Sequence, residues 1–150
     1  MTDRSTIGRR SRAKGSAFER EIARRLRAVL DDPLVLAEIE AADSHTRAAA
    51  MALSCVRRGE QSRGEREPDI VTPTRWWIEL GTGSTIRPAT KFVQADLASD
   101  DERPCPVAIC RHGRQITATV WAHDVFDGAP SGYMITMGLG DWLRLVEEGA

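Results

Sequence analysis

Lysine is nearly absent from this chain: Lys14 and Lys91 are the only two in 150 residues, against nineteen arginines. Positive charge carried as guanidinium suits bidentate contacts to phosphate or carboxylate, although arginine richness also follows from genomic base composition. Cysteine is scarce and odd in number. Cys55, Cys105 and Cys110 are too widely spaced for a disulfide framework and lack the CxxC spacing of a zinc site, so they read as reduced thiols in or near the core. No apolar run approaches membrane-spanning length, which excludes a membrane partner through a spanning helix. The opening MTDRSTIGRRSRAKGS has no apolar segment after its basic part, so a cytoplasmic protein without a secretory signal is the expectation. A P-loop, a dinucleotide fingerprint, an HExxH motif and any internal repeat are missing too. His45, His112 and His123 stand in dissimilar contexts without a nucleophile–base pattern, and none is assigned a role.

What is present suffices for one folded domain, because 41% of the residues are apolar and the chain is long enough to bury a core. The net charge of −1 hides an asymmetry. Residues 1–30 carry nine Lys/Arg against three Asp/Glu, whereas residues 76–150 carry six against ten. A basic start on a mildly acidic body suits an anionic partner.

The expected organisation is a flexible basic arm at 1–14 followed by a single domain at 15–150. Phe18, Ile22, Leu26 and Val29 recur at helical spacing and predict an amphipathic helix over 16–30. Ser16 fits as its N-cap with Glu19 as the capping-box glutamate. Alanine-rich segments at 34–42 and 45–53 predict further helices. Short strands are expected at 54–59, from Asp69 to Val71, and at 76–80. A helix over 88–98, strands at 106–111, 115–121 and 133–137, and a closing helix over 138–148 complete a small α/β domain.

Two acids stand out in PDIVTPTRWWIEL, residues 68–80. Asp69 and Glu79 lie near the ends of two neighbouring strands, and their connection is short enough to bring both carboxylates into one cleft. Hard divalent ions such as Mg²⁺ take oxygen ligands and tolerate retained waters, so two carboxylates with the Leu80 carbonyl would form a half-shell. Such an ion activates water and stabilises charge on a phosphodiester. Glu19 offers a third carboxylate. The alternative for Glu79 is the solvated face of a half-exposed strand, and for Asp69 an ordinary turn position. Arg9, Arg10, Arg12 and Lys14, with Arg57, Arg58, Arg63 and Arg66, are candidate contacts to a nucleic-acid backbone, or ordinary surface charge. Trp76 and Trp77 alternate to opposite strand faces, so at least one is structural rather than a base-stacking platform.

The strings KGSAFEREIARRL (14–26), CVRRG, PDI and WWIEL, in this order, resemble the PD-(D/E)xK nucleases. The likeness is greatest to archaeal-type Holliday-junction resolvases and related phage endonucleases, and it spans roughly residues 12–111. It implies a restriction-endonuclease-like core, a mixed β-sheet flanked by helices. It also implies Mg²⁺- or Mn²⁺-dependent hydrolysis of DNA, including branched DNA, by a homodimer. Glu19, Asp69 and Glu79 match the family's acids, and Gln94 matches a glutamine on the helix after the active-site strands. The alanine-rich stretch at 31–53 departs from the pattern as an insert, read as a lid or a dimer contact.

The larger departure is Gly81. The family places a lysine two residues after the strand acid, and here the run is Glu79-Leu80-Gly81. Lys91, ten residues on, and Arg87 are the candidates to supply that charge from a neighbouring element; a solvated helix residue is the alternative for Lys91. Loss of a transition-state charge partner costs on the order of a few kcal/mol. Three readings follow: a metal-dependent DNA endonuclease, a nuclease-fold DNA-binding protein with weakened or absent turnover, and a regulatory domain whose basic arm meets nucleic acid or an acidic protein.

Overall fold

The computed structural model describes residues 4–60 and 67–149, with side chains described from residue 13 onward. Arg63 and Arg66 lie outside the described residues, as do the side chains of Arg9, Arg10 and Arg12. A six-stranded mixed sheet runs in the spatial order β1 to β6, with helices on both faces. Its strands are β1 (Arg57–Arg58), β2 (Ile70–Val71), β3 (Trp76–Thr82), β4 (Cys105–His112), β5 (Gln115–Trp121) and β6 (Met134–Gly138). The helices are α1 (Arg4–Leu30), α2 (Pro33–Ala41), α3 (Arg47–Ala52), α4 (Pro88–Ala98), α5 (Ala122–Val125) and α6 (Leu139–Glu147).

Only β3 and β4 run parallel, and the crossover between them is α4; every other adjacent pair is antiparallel. Period two along β3 sorts its residues between two different layers. Trp76, Ile78 and Leu80 join Phe18, Ile22 and Leu26 of α1 and Trp142 of α6 in the main core. Trp76 and Trp142 meet edge to face at 5.6 Å, an arrangement favoured by the ring quadrupoles. On the other face, Ala108 and Cys110 of β4 pack beneath Phe92 of α4. Glu79 and Gly81 pair with Ala108 and Cys110, so they face α4 as well.

The N-terminal expectation needs correction. Residues 4–14, expected as a flexible arm, are helical, and α1 is continuous from Arg4. Arginine, lysine and alanine are good helix formers, and the two interior glycines, Gly8 and Gly15, cost only about 1 kcal/mol each. Ser16 therefore lies inside the helix and is not its cap; its hydroxyl accepts from Arg20 Nη1 at 3.0 Å. β1 is also shorter than the expected 54–59, because Ser54 and Cys55 bind Asp31 instead of a strand partner.

Residues 31–53 carry α2 and α3, which pack on each other. Asp32 caps α2 by accepting from Leu34 N, and Asp43 organises the intervening turn by accepting from His45 N and Thr46 N. No residue of α2 is buried. Both tryptophans of the WW pair are buried, at 0% and 1% exposure, which leaves neither free to stack a base. Among the described residues no helix is long and apolar enough to cross a membrane.

Candidate active site on the second face of the sheet

Strand pairing brings Asp69 and Glu79 together. β2 and β3 are adjacent and antiparallel, with Ile70 opposite Ile78, and Asp69 N donates to the Ile78 carbonyl at 2.9 Å. Gly59 N in turn donates to the Asp69 carbonyl at 2.8 Å. A Cβ on Gly59 would collide with the Pro68 carbonyl, so this close approach requires glycine. The Asp69 Oδ2 accepts from Leu80 N at 2.8 Å. Leu80, expected to offer its carbonyl, thus meets Asp69 through its amide.

Glu79 is 5% exposed and is held by protein donors at both oxygens. Oε1 accepts from the Trp77 indole at 3.1 Å, and Oε2 accepts from Gln94 Nε2 at 3.3 Å. The Lys91 ammonium lies 3.2 Å from Oε2 and also donates to Gln94 Oε1 at 3.2 Å. Burial, and then the neighbouring Glu79 charge, push the Asp69 carboxyl above its ordinary range; the Leu80 amide and Lys91 oppose that shift. Two carboxylates have been brought close enough to repel each other, and one internal cation answers them.

Gly81 shows why that cation arrives from α4. A Cβ at position 81 would lie 2.8 Å from Ile86 Cγ2 and 3.1 Å from Cys110 Sγ, with Lys91 Cγ at 3.5 Å. The room beside Glu79 that a strand side chain would need is taken by Ile86, Cys110 and the Lys91 stem. Cys110 is inert packing here, its thiol pushed up to about 11 by burial.

Glu19 does not join the pair. It sits on α1 and is bound by Arg58, whose Nε donates to Oε2 at 2.9 Å and whose Nη2 donates to the same oxygen. Arg57 pairs with Glu67. Glu21 is shared by Arg25 and Arg111; burial works against its charge, but these guanidinium groups hold it below its ordinary value. Among the described residues no group of three or more His, Cys, Asp or Glu is arranged to hold a metal ion.

Several contributors were not legible as site residues. Trp77 became one because it shares a strand face with Glu79, a signal the two-residue period carries. Arg20 and Arg24, one turn apart on α1, are exposed and have no acidic partner among the described residues. Lys14 is exposed on the same helix. Comparison with known proteins returned nothing: no family model, curated protein or solved structure matches the chain.

Proposed function

We propose that this chain is a DNA-binding protein on a restriction-endonuclease-like scaffold whose metal-dependent hydrolysis is weakened. The observation that carries the reading is the convergence of Asp69, Glu79 and Lys91, two carboxylates from adjacent strands and an ammonium from the crossover helix. The basic α1, with Lys14, Arg20 and Arg24 exposed, supplies the attraction to a polyanion.

The oxygen donors of Asp69 and Glu79 fit a hard divalent cation such as Mg²⁺ or Mn²⁺, which when bound supplies water activation and charge stabilisation at a phosphodiester. The fit is a half-shell only, since Glu19 is committed to Arg58. Lys91 competes with a cation for Glu79 Oε2, and burial beside Glu79 makes the Asp69 carboxyl ionise less readily than usual. Both features lower affinity for the ion, and they favour weakened over vigorous turnover. Trp77 and Gln94 fix the Glu79 carboxylate in place, and Lys91 holds positive charge where a phosphate would approach.

A second reading, an active endonuclease, draws on the same Lys91 contact, because an ammonium beside the acid pair is the charge that Gly81 lacks. One experiment tests both. Wild type, Asp69→Ala and Lys91→Ala are incubated with a four-way junction and a linear duplex in Mg²⁺ and in Mn²⁺, and binding and cleavage are measured on the same samples. The proposal expects binding by wild type with slow cleavage that Asp69→Ala abolishes. Rapid turnover would establish the second reading, and cleavage that persists in Asp69→Ala would remove the acid pair from the chemistry altogether.

A further inference from the structure

Next to Glu79, the start of α4 and the loop before it enclose a cavity of about 400 Å³, lined by Thr85, Ile86, Arg87, Thr90, Lys91 and Gln94. Its lining holds two cations and no carboxylate. Among the described residues, Arg87 and the hydroxyls of Thr85 and Thr90 have no side-chain partner. Lys91 joins the cavity to the acid pair through its 3.2 Å contact with Glu79.

The wall is braced. Ile86 fills the space over Gly81. Its carbonyl lies 2.8 Å from His112 Nε2, and because a carbonyl only accepts, that ring nitrogen carries the proton. The Ile86 N–H bonds back to the Gly83 carbonyl at 3.4 Å.

We propose that this cavity seats one nucleotide of a bound DNA strand, with its phosphate between Arg87 and Lys91 and its sugar or base against Ile86 and the threonine methyls. An unneutralised guanidinium beside an ammonium selects a phosphate oxyanion, which accepts from both. The positive end of the eleven-residue α4 adds charge of the same sign. The volume is that of a small-ligand pocket, and an apolar wall with a few converging polar groups distinguishes a nucleotide from a bare anion. Lys91 then contacts the phosphate and Glu79 at once, which places the strand beside the acid pair.

This assignment rests on the DNA reading, and its test separates the two. The full chain, ¹⁵N-labelled, is titrated with thymidine 5′-monophosphate and with inorganic phosphate while amide shifts are followed; a fluorescent duplex is titrated in parallel by anisotropy. Arg87→Glu removes the cation, Thr90→Phe fills the cavity from an exposed helix position, and Arg144→Glu on α6 is the control. Shifts should concentrate on residues 85–94. Affinity for the mononucleotide should fall at least about tenfold in both cavity variants, as loss of a charge-assisted hydrogen bond or of the space requires. Inorganic phosphate should respond to Arg87→Glu only, and the control should match wild type. Mononucleotide shifts centred elsewhere, or cavity variants indistinguishable from the control, overturn the assignment; if duplex binding is retained in that case, the DNA reading survives it. A wild type that binds no duplex overturns the DNA reading and the assignment to a strand, even where the mononucleotide still shifts residues 85–94.

Discussion

Replacing Lys91 with methionine keeps most of the side-chain stem and deletes the ammonium that faces Glu79. The structure sets the size of the effect. Both partners are largely buried, with 18% of the Lys91 side chain and 7% of the Glu79 side chain exposed. Stripping one partner from a fully buried ion pair costs about 3–5 kcal/mol, because the remaining charge is left uncompensated. Glu79 keeps two other donors, Trp77 and Gln94, and Lys91 retains some solvent. The expected loss is therefore lower, about 2 kcal/mol, which for a chain of this length lowers Tm by about 4–8 °C. Urea denaturation at pH 7 should show the loss as a shift in midpoint at constant slope. Adding Glu79→Gln to Lys91→Met should recover part of it, giving a coupling energy of about 1–2 kcal/mol in the double-mutant cycle. A Lys91→Met protein within about 0.5 kcal/mol of wild type, or strict additivity with Glu79→Gln, would refute the claim that the two side chains form a working pair.

Gly81→Ala should destabilise the domain by about 1–3 kcal/mol, since the new methyl meets Ile86 and Cys110 in a filled layer; a second change, Ile86→Ala, should relieve it, and thermal melts of the single and double variants check both. Asp69→Asn should raise Tm at neutral pH. The Asp69 carboxyl ionises less readily in the folded chain than its ordinary 3.8, so wild type loses stability as pH rises from there through the higher folded value. The advantage of asparagine should accordingly shrink toward acid, and a gap constant with pH would count against the raised carboxyl. Trp77→Phe deletes the indole N–H that donates to Glu79 together with part of a buried ring system; it should cost at least about 1–3 kcal/mol by denaturation, and no loss would show that the bond contributes nothing.

The parts of this fold that were legible in the sequence are those set by short-range pattern. WWIEL places Trp76, Ile78 and Leu80 on one layer and Glu79 on the other, and the core confirms that division. Pro88 marks the start of α4 at its first helical position, where a missing N–H costs nothing. The spacing of Phe18, Ile22 and Leu26 finds the buried stripe of α1. What failed was the start of that helix, because a polar arginine-rich segment without apolar period still has the intrinsic propensity to continue a helix already formed.

The site was half legible for the same reason. The two acids and their adjacency follow from a short strand–turn–strand connection. Trp77, two residues from Glu79 on the same strand, follows from the period as well, but the partners that come from distant elements do not. Arg58 reaches Glu19 across 39 positions, and Gln94 meets Glu79 only because the crossover helix lies over this part of β3. Pattern along the chain named Lys91 as a candidate, but only packing decides that its ammonium lands 3.2 Å from Glu79. Whether Glu19 points to the acids or to an arginine is likewise a question of side-chain partners, which no periodicity encodes.

The account as a whole stands on DNA binding by a basic face, and the salt dependence of that binding tests it most directly. Affinity of the wild-type chain for a linear duplex, measured by anisotropy from low to physiological salt, should fall steeply. A slope of about −4 in log K against log salt is expected if roughly four to five phosphates are contacted. Absence of binding at low salt, or an affinity that does not change with salt, would contradict it.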